Sequence, residues 1–504
     1  HADGTFELGA SAYEKRGVSA FVPEWHADRC VQCNNCAFVC PHATLRPFAL
    51  DDNEAKNAPA DAKILPIKIG KGKNKYGFTM AISPLDCMGC GVCVTQCGTH
   101  ALEMVPMESR LEQQKVFDYC VGHVADKPDM FKADNVKFSQ FRQPYLEFSG
   151  SCAGCAETSY ARLVTQLFGD HMMISNATGC SSIWGGPAAA SPYTVNKEGK
   201  GPSWANSLFE DNAEHGLGLY LGQKKIRDDL KAKVEAIADK VPEAAQWLET
   251  YNCGDANQAA TRELISALEK LDCDCDIRTE LLEKKDYLNK KSCWIFGGDG
   301  WAYDIGFGGV DHVLASGEDV NILVFNTEVY SNTGGQASKA SNIGQVAQFA
   351  AAGKEIRSKS LAEIAMTYGY VYVAQIAMGA NKVQTLAAIT EAEAYPGPSI
   401  IIAYSPCEMH SIKGGMTNCQ KEMDKAVKCG YWNLFRYNPS KNSEKFTLDS
   451  KIPADGYRDF LLNEARYSRL TREFPERAES LFEANEANAK ARFEHLRRLV
   501  EMYK

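Results

Sequence analysis

The segment 293–332 constrains the fold of this chain more than any other, because it contains two short apolar runs that both end in polar residues. Trp294–Phe296 and Ile322–Phe325 are rich in Ile, Val and Phe, which is typical of strands buried in a parallel sheet. A Gly- and Ala-rich stretch between them favours a helix. The segment therefore predicts an α/β doubly wound domain with a parallel sheet, in which ligands bind outside the carboxyl ends of the strands.

Polar residues follow both runs at this edge of the predicted sheet. Gly298-Asp299-Gly300 comes after the first run, and Asn326-Thr327-Glu328 comes after the second. A carboxylate, an amide and a hydroxyl are hard oxygen donors that suit Mg²⁺, and the glycines allow backbone N–H groups to approach phosphate oxygens. The pattern predicts a site for Mg²⁺ and a diphosphate, although Gly-Asp-Gly alone would also fit an ordinary tight turn.

Nineteen cysteines are many for a chain of 504 residues, and eight of them follow one repeated spacing. The pattern C-x2-C-x2-C-x3-C runs from Cys30 to Cys40 and again from Cys87 to Cys97. It is typical of ferredoxin-like domains with two 4Fe–4S clusters, in which the last cysteine of each run binds the other cluster. Zinc, the alternative, favours C-x2-C pairs that are set apart. We expect one cluster on Cys30, Cys33, Cys36 and Cys97, and the other on Cys87, Cys90, Cys93 and Cys40.

Four further cysteines lie outside these two runs, and two of them directly follow predicted strands. Cys152 and Cys155 are in a Gly-rich loop, and Cys180 and Cys407 each follow a short apolar run that predicts a strand. Because such strand ends meet at one crevice, these cysteines suggest a third 4Fe–4S cluster beside the Mg²⁺ donors, with zinc or unligated thiols as alternatives. Glu157 would contact a cofactor if it lay in that crevice, and would otherwise be a solvated loop carboxylate.

The remaining candidates have weaker patterns. His410 is expected to be a polar surface residue, with a role near the third cluster as the alternative. Cysteines without ligand spacing are expected to be free thiols: Cys253, Cys273, Cys275 and Cys293. Adventitious metal binding is the alternative for the Cys273-x-Cys275 pair.

Charge and composition exclude several classes of function. The net charge of −9 and the pI of about 5.7 leave no basic surface for nucleic acid or an anionic membrane. No apolar run reaches the roughly 18 residues of a membrane-spanning helix. The many cysteines suggest a reducing, anaerobic cytoplasm, and the first residues, HADGTFELG, suggest the middle of a longer polypeptide or a processed product.

Six stretches together resemble the pyruvate:ferredoxin (flavodoxin) oxidoreductase family. Gly298-Asp299-Gly300 followed by Asn326 resembles the thiamine-diphosphate motif, with Thr327 in place of the usual second asparagine. Ala156 and Ser159 stand where the family usually has Gly and Pro. The resemblance extends over essentially the whole chain and rests on SGSCAGCAETSY, NATGCSSIWGG, GPSWANSLFEDNAEHG, GDGWAYDIGFGG, NTEVYSNTGGQASK and YSPC.

The resemblance implies roles for individual residues. It implies that Asn332 is catalytic, and that Asp299, Thr327 and the Val329 carbonyl bind Mg²⁺. The implied ligands of the third cluster are Cys152, Cys155, Cys180 and Cys407. The implied contacts of thiamine diphosphate are Glu157, Cys180, Gly298, Asp299, Gly300, Trp301, Thr327, Glu328, Val329, Tyr330, Ser331 and Asn332.

The resemblance also implies an activity: oxidative decarboxylation of pyruvate with coenzyme A to acetyl-CoA and CO₂. Electrons would pass through three 4Fe–4S clusters to ferredoxin or flavodoxin. The family's pyruvate and coenzyme A sites lie in N-terminal domains that this sequence lacks, so the chain resembles the C-terminal portion of an enzyme expected to be a homodimer. The alternatives are another 2-oxoacid as substrate, or a subunit that only carries electrons.

We therefore expect five segments. They are a connector (1–25), a two-cluster ferredoxin-like domain (26–110), a linker (111–144), a domain for thiamine diphosphate, Mg²⁺ and the third cluster (145–430), and a C-terminal helical extension (431–504).

Overall fold

The computed structural model describes residues 5–68, 75–128, 130–187, 189–271 and 275–504. The N-terminal part contains two small antiparallel sheets, one of β1 and β5 and one of β2, β4 and β3. Each cysteine run includes a single helical turn. The strands and helices are β1 Phe21–Trp25, α1 Asn35–Phe38, β2 Leu45–Leu50, α2 Asp52–Lys56, β3 Leu65–Pro66, β4 Gly77–Ile82, α3 Val92–Thr95, β5 Leu102–Pro106, α4 Gln113–His123 and α5 Val136–Ser139.

The packing of this part differs from the expected segments at both ends. Phe21–Trp25, expected to belong to the connector, forms β1, because it pairs with β5 and Trp25 packs edge-on against Phe78. The expected linker is also packed: Phe117 of α4 and Phe131 are both buried in apolar clusters of this part. The ferredoxin-like part therefore extends beyond residues 26–110.

The second part is built on a mixed sheet that has eight strands within the described residues, in the order β13-β12-β10-β11-β9-β8-β6-β7. The strands from β10 to β7 are parallel, and β12 and β13 add an antiparallel edge. The predicted strand–helix–strand unit is confirmed, since β8 and β9 pair in parallel and the helix Phe307–Ala315 lies between them in the chain. The strands are β6 Met172–Ala177, β7 Ser203–Ser207, β8 Ser292–Gly298, β9 Asn321–Asn326, β10 Tyr372–Ile376, β11 Ser399–Tyr404, β12 Phe435–Tyr437 and β13 Phe446–Leu448.

Helices surround this sheet, and a group of four of them, α8 to α11, has a buried core of its own around Trp247 and Leu264. A π-helix, Gly300–Ile305, begins at the last glycine of the Gly298-Asp299-Gly300 tripeptide. The helices are α6 Ala156–Phe168, α7 Cys180–Gly185, α8 Asn212–Ile237, α9 Glu243–Glu249, α10 Gly254–Lys270, α11 Asp276–Glu283, α12 Phe307–Ala315, α13 Leu361–Met366, α14 Lys382–Ala394, α15 Cys419–Lys428, α16 Tyr457–Leu462, α17 Ala465–Ser468, α18 Leu470–Glu473 and α19 Pro475–Met502.

Residues 431–504 are not a separate extension, contrary to the expectation. Their strands β12 and β13 complete the main sheet, and Tyr431, Phe482 and Leu496 belong to the same buried core as the central strands. The C-terminal segment is therefore an integral part of the second domain.

Two smaller expectations have different outcomes. Cys253 and Cys293 are free thiols as expected, whereas Cys275 is disulfide-bonded, and Cys273 lies outside the described residues. Among the described residues, no helix combines the length and the apolar character that crossing a membrane requires.

Candidate active site

One pocket opens at the carboxyl ends of the parallel strands. Because Asn326 at the end of β9 pairs with Tyr404 at the end of β11, the segments that follow these strands emerge side by side. All of the predicted thiamine-diphosphate contacts except Glu328 line this pocket. The lining residues are Glu157, Thr178, Gly179, Cys180, Ser181, Phe209, Gly298, Asp299, Gly300, Trp301, Thr327, Val329, Tyr330, Ser331 and Asn332.

The three predicted Mg²⁺ ligands are in mutual contact. Asp299 Oδ1 accepts a hydrogen bond from the Thr327 N–H at 3.0 Å, and the Thr327 hydroxyl lies 2.9 Å both from Asp299 Oδ1 and from the Val329 carbonyl oxygen. Ser338 donates to Asp299 Oδ2 at 2.5 Å. A carboxylate, a hydroxyl and a carbonyl thus converge as Mg²⁺ ligands require.

Burial explains why a cation would be favourable there. Asp299 is completely buried, which raises the pKa of its carboxyl group to about 7, although Ser338 and Thr327 donate to it. Asn326 Oδ1 is also buried and has no hydrogen-bond partner within the described residues. A bound divalent cation would offset the cost of an ionised carboxylate in this position, so the donor set fits Mg²⁺.

Glu157 lies in the first turn of α6 and is buried, so it is not a solvated loop carboxylate. Its Oε2 accepts a hydrogen bond from the indole N–H of Trp184 at 2.9 Å. Burial, with a smaller contribution from the charge of nearby Asp299, raises the pKa of Glu157 to about 7, although the hydrogen bond from Trp184 acts against this rise. Trp184 was not predicted from the sequence, because nothing in NATGCSSIWGG indicates that the indole faces Glu157.

The structure brings together four cysteines, hereafter the crevice cysteines: Cys152, Cys155, Cys180 and Cys407. Burial raises the pKa of the Cys180 thiol, and the charges of Glu157 and of the other three crevice cysteines raise it further. Cys407 Sγ lies 3.4 Å from Ser331 Oγ in the pocket wall, and Cys180 lines the pocket itself. The predicted third cluster site therefore adjoins the predicted thiamine-diphosphate site.

The eight remaining predicted ligands lie in the ferredoxin-like part. Burial raises the pKa of Cys36, and the charges of Cys33, Cys30 and Cys97 raise it as well. Burial also raises the pKa of Cys90, and the charge of Cys40 makes the next largest contribution to this rise. The last cysteine of each run thus lies near the other run, as the crossed ligand pattern requires.

Nowhere in the described ranges are three His, Cys, Asp or Glu side chains gathered closely enough to ligate a single metal ion. The four thiols predicted for each cluster therefore lie near one another, but they do not converge on a single ion.

His410 was expected at the surface, but it is completely buried behind the pocket. Its Nδ1 accepts a hydrogen bond from the Cys407 N–H at 3.3 Å, and its Nε2 lies 2.7 Å from the Thr327 carbonyl oxygen. Burial, together with the charge of Arg466, lowers the pKa of His410 well below its usual range. A neutral imidazole with its proton on Nε2 therefore links a predicted cluster ligand to a predicted Mg²⁺ ligand.

Glu328 is the predicted contact whose side chain does not line the pocket. Its backbone is left-handed (φ 59°), and its Oε2 accepts hydrogen bonds from Arg466 at 2.7 Å and from Tyr431 at 2.6 Å. Arg466 also donates to Glu464 at 2.6 Å. This buried ion pair anchors the Thr327–Asn332 loop to the C-terminal segment, a contact between residues far apart in the sequence.

We expect Arg466→Met to destabilise the protein strongly, because it leaves Glu328 and Glu464 buried without a cation. The expected loss is on the order of 3–5 kcal/mol, seen as a fall in the midpoint of urea unfolding. Arg469→Met is a matched control, since its exposed ion pair with Glu473 at 3.2 Å should contribute at most about 1 kcal/mol. Equal midpoints for the two variants would refute the anchoring role of Arg466.

Comparisons with known proteins identify two kinds of domain in the chain. Residues 283–403 match the family model of the thiamine pyrophosphate enzyme C-terminal TPP binding domain, and residues 26–101 match that of a 4Fe-4S dicluster domain. The crevice cysteines lie outside both matches.

The chain is also similar to complete proteins. It is 51% identical over 509 residues to a pyruvate-flavodoxin oxidoreductase from Klebsiella pneumoniae, covering 99% of this chain and 43% of that protein. It is 49% identical over 515 residues to a pyruvate:ferredoxin oxidoreductase from Moorella thermoacetica, covering 99% and 44%. A mitochondrial pyruvate dehydrogenase (NADP(+)) from Euglena gracilis is 43% identical over 511 residues, covering 99% and 28%.

The chain thus spans less than half the length of these relatives. At about 50% identity over nearly its whole length, the chain is similar to pyruvate-flavodoxin and pyruvate:ferredoxin oxidoreductases.

Proposed function

We propose that this chain is the C-terminal part of a pyruvate:ferredoxin or pyruvate-flavodoxin oxidoreductase. The proposed reaction is oxidative decarboxylation of pyruvate with coenzyme A to acetyl-CoA and CO₂. The observation that carries the proposal is one pocket in which the contacting set Asp299, Thr327 and Val329 adjoins the crevice cysteines. A site for a carbon reaction next to a site for an electron acceptor is what an oxidative decarboxylase needs.

The residues of the pocket would divide the binding of the cofactor between them. Asp299, Thr327 and the Val329 carbonyl would hold Mg²⁺, and backbone N–H groups of Gly298–Trp301 would face the diphosphate. Thiamine diphosphate supplies the electron sink that allows a 2-oxoacid to lose CO₂. Asn332, exposed at the mouth of the pocket, would donate a hydrogen bond to the substrate.

The twelve predicted cluster ligands would form an electron route of three clusters. The crevice cysteines would take one electron at a time from the pocket. Cys40, Cys87 and Cys93 are buried, whereas Cys33 is exposed, so the cluster that includes Cys33 is the proposed exit.

Lysines surround the proposed exit in a chain whose net charge is −9. Lys137 and Lys382 lie close enough to Cys33 for their charges to interact, and Lys68 Nζ donates to the Cys30 carbonyl at 3.3 Å. A local positive surface favours an acidic redox protein as acceptor. This agrees with ferredoxin or flavodoxin as the partner.

The lysines give a prediction about the acceptor. In the full-length enzyme, changing both Lys137 and Lys382 to Gln should raise the KM for the acceptor several-fold and weaken its dependence on ionic strength, because steering by charge is screened by salt. Changing both Lys225 and Lys284 to Gln removes two exposed lysines of the α8–α11 group and is the matched control. The measurement is acceptor reduction at several salt concentrations. An unchanged salt dependence in the Lys137/Lys382 variant would exclude this docking surface.

The remaining parts of the proposal concern the whole enzyme. The N-terminal portion would supply the residues that bind pyruvate and coenzyme A, and the full enzyme would be a homodimer in a reducing, anaerobic cytoplasm.

The experiment that tests the function is reduction of ferredoxin or flavodoxin by the full-length enzyme with pyruvate, 2-oxoglutarate or a branched-chain 2-oxoacid, with and without coenzyme A. Activity only with pyruvate and coenzyme A supports the proposal. Preference for another 2-oxoacid overturns the substrate, and failure of thiamine diphosphate with Mg²⁺ to stabilise the protein would indicate a subunit that only carries electrons.

A further inference from the structure

Helix α6 connects the two proposed redox sites. Its first turn carries Glu157 and follows directly on Cys155, and its middle reaches the cysteine run of the ferredoxin-like part. There Ser159 Oγ donates to the Val39 carbonyl at 3.2 Å, and Arg162 donates to the Phe38 carbonyl at 2.6 Å. The carbonyls that α6 contacts therefore immediately precede Cys40.

Arg162 is a buried cation that has no carboxylate partner among the described residues. It is 2% exposed, and its guanidinium donates to the Phe38 carbonyl and to the side-chain oxygens of Gln140 and Gln166, at 3.2 and 2.8 Å. Its Nε has no hydrogen-bond partner within the described residues. Arg46, whose charge acts against the charged form of Arg162, is itself neutralised by a buried ion pair with Glu147. Burying an isolated charge costs free energy. An anionic group close to Arg162 would offset that cost.

The anionic group within reach is the thiolate of Cys40. Its charge favours the charged form of Arg162, against the effect of burial. Cys40 is the proposed fourth ligand of the cluster on Cys87, Cys90 and Cys93, and a 4Fe–4S cluster with four thiolates carries net negative charge that increases by one on reduction. The fixed positive charge of Arg162 near the cluster therefore stabilises the reduced cluster more than the oxidised cluster.

We propose that Arg162 raises the reduction potential of the cluster bound by Cys40, Cys87, Cys90 and Cys93, and so makes it the acceptor for electrons that leave the pocket. This inference rests on the proposed function, because it requires that cluster. One electron moves from the crevice cluster to this cluster and then to the exit cluster. Each cluster is reduced when it receives the electron and is oxidised again when it passes the electron on. Arg162 is a positioning residue in this scheme, since it acts through its charge and does not touch the reacting carbon.

The test is an EPR-monitored redox titration of the full-length enzyme. Arg162→Gln should lower the midpoint potential of the cluster on Cys40 by an amount equivalent to about a tenfold change in the equilibrium for its reduction, about 59 mV for one electron. Gln166→Glu should lower it as well, because a carboxylate 2.8 Å from Arg162 would neutralise the same charge while Arg162 stays in place. Arg162→Lys retains the charge and should keep the potential near the wild-type value.

Two controls make the titration specific. Arg227 is a second buried arginine held by neutral acceptors, the Tyr251 and Leu288 carbonyls and the Asn257 side chain, in the α8–α11 group. Arg227→Gln should leave all cluster potentials unchanged, and the exit cluster should keep its potential in the Arg162 variants.

The outcomes separate the two proposals. Arg162→Gln and Gln166→Glu proteins that contain the cluster at an unchanged potential would overturn the role of Arg162. An equal fall in Arg162→Lys would also overturn it, because the effect would then follow geometry and not charge. A wild-type enzyme without a cluster on these four cysteines would instead overturn the proposed function.

Discussion

Cys407→Ser is expected to abolish pyruvate-dependent electron transfer in the full-length enzyme while leaving two of its three clusters in place. Serine cannot replace a thiolate in a 4Fe–4S site without loss of stability, so about four of about twelve irons should be lost. Cys407 is also hydrogen-bonded to Ser331 in the pocket wall, so the change occurs where the two proposed sites meet. The measurements are iron content, EPR of the reduced enzyme and acceptor reduction.

Cys429→Ser is the matched control for this prediction. Cys429 is a buried free thiol whose Sγ contacts the Ala426 carbonyl, away from the crevice cysteines. The control should keep all its iron and its activity. If Cys407→Ser retained full iron and full activity, Cys407 would not be a cluster ligand and the electron route would have to start elsewhere.

Asp299→Asn is expected to remove the response of the protein to thiamine diphosphate and Mg²⁺. The wild-type chain should show a higher melting temperature when both are added, because ligands that bind only the folded state stabilise it. The variant loses the only carboxylate among the three contacting Mg²⁺ donors, so its melting temperature should not respond. Asp311→Asn, which alters the hydrogen bond to Tyr368 instead, should respond as the wild type does.

In the absence of thiamine diphosphate and Mg²⁺, Asp299→Asn should also change how the stability of the protein depends on pH. The folded pKa of Asp299 is about 7, well above the ordinary 3.8, so the folded state holds a proton that the unfolded state has released between these values. Stability should therefore fall as the pH rises from about 4 to about 7, by on the order of a few kcal/mol, and stay low above pH 7. Asn removes this penalty. At pH 8 the ligand-free variant should melt above the ligand-free wild type, and a lower melting temperature there would contradict the burial argument.

The parts of the site that could be predicted are those encoded by local patterns. The spacing Cys30–Cys40, its repeat at Cys87–Cys97 and the Gly-Asp-Gly turn each report their chemistry over a few residues. The strands before Asp299 and Thr327 contain the apolar runs Trp294–Phe296 and Ile322–Phe325, and these runs led to the correct prediction that the two strands end at one sheet edge.

The missed features depend on contacts between distant residues. Arg466 reaches Glu328 across 138 positions, and Tyr160 on α6 donates to the Tyr404 carbonyl across 244. A lone arginine or histidine has no periodicity that reports its burial, so Arg162 and His410 resembled ordinary polar residues. Strands β12 and β13 are three residues each, too short for a pattern of alternation. The C-terminal segment was therefore expected to be only helical.

The third iron–sulfur cluster at the pocket for thiamine diphosphate is the proposal on which the whole electron route depends. Its most direct test is the iron content of the anaerobically prepared wild-type chain, with EPR spin quantification after reduction. We expect about twelve irons per chain in three clusters. About eight irons, with the two ferredoxin-type signals alone, would contradict it.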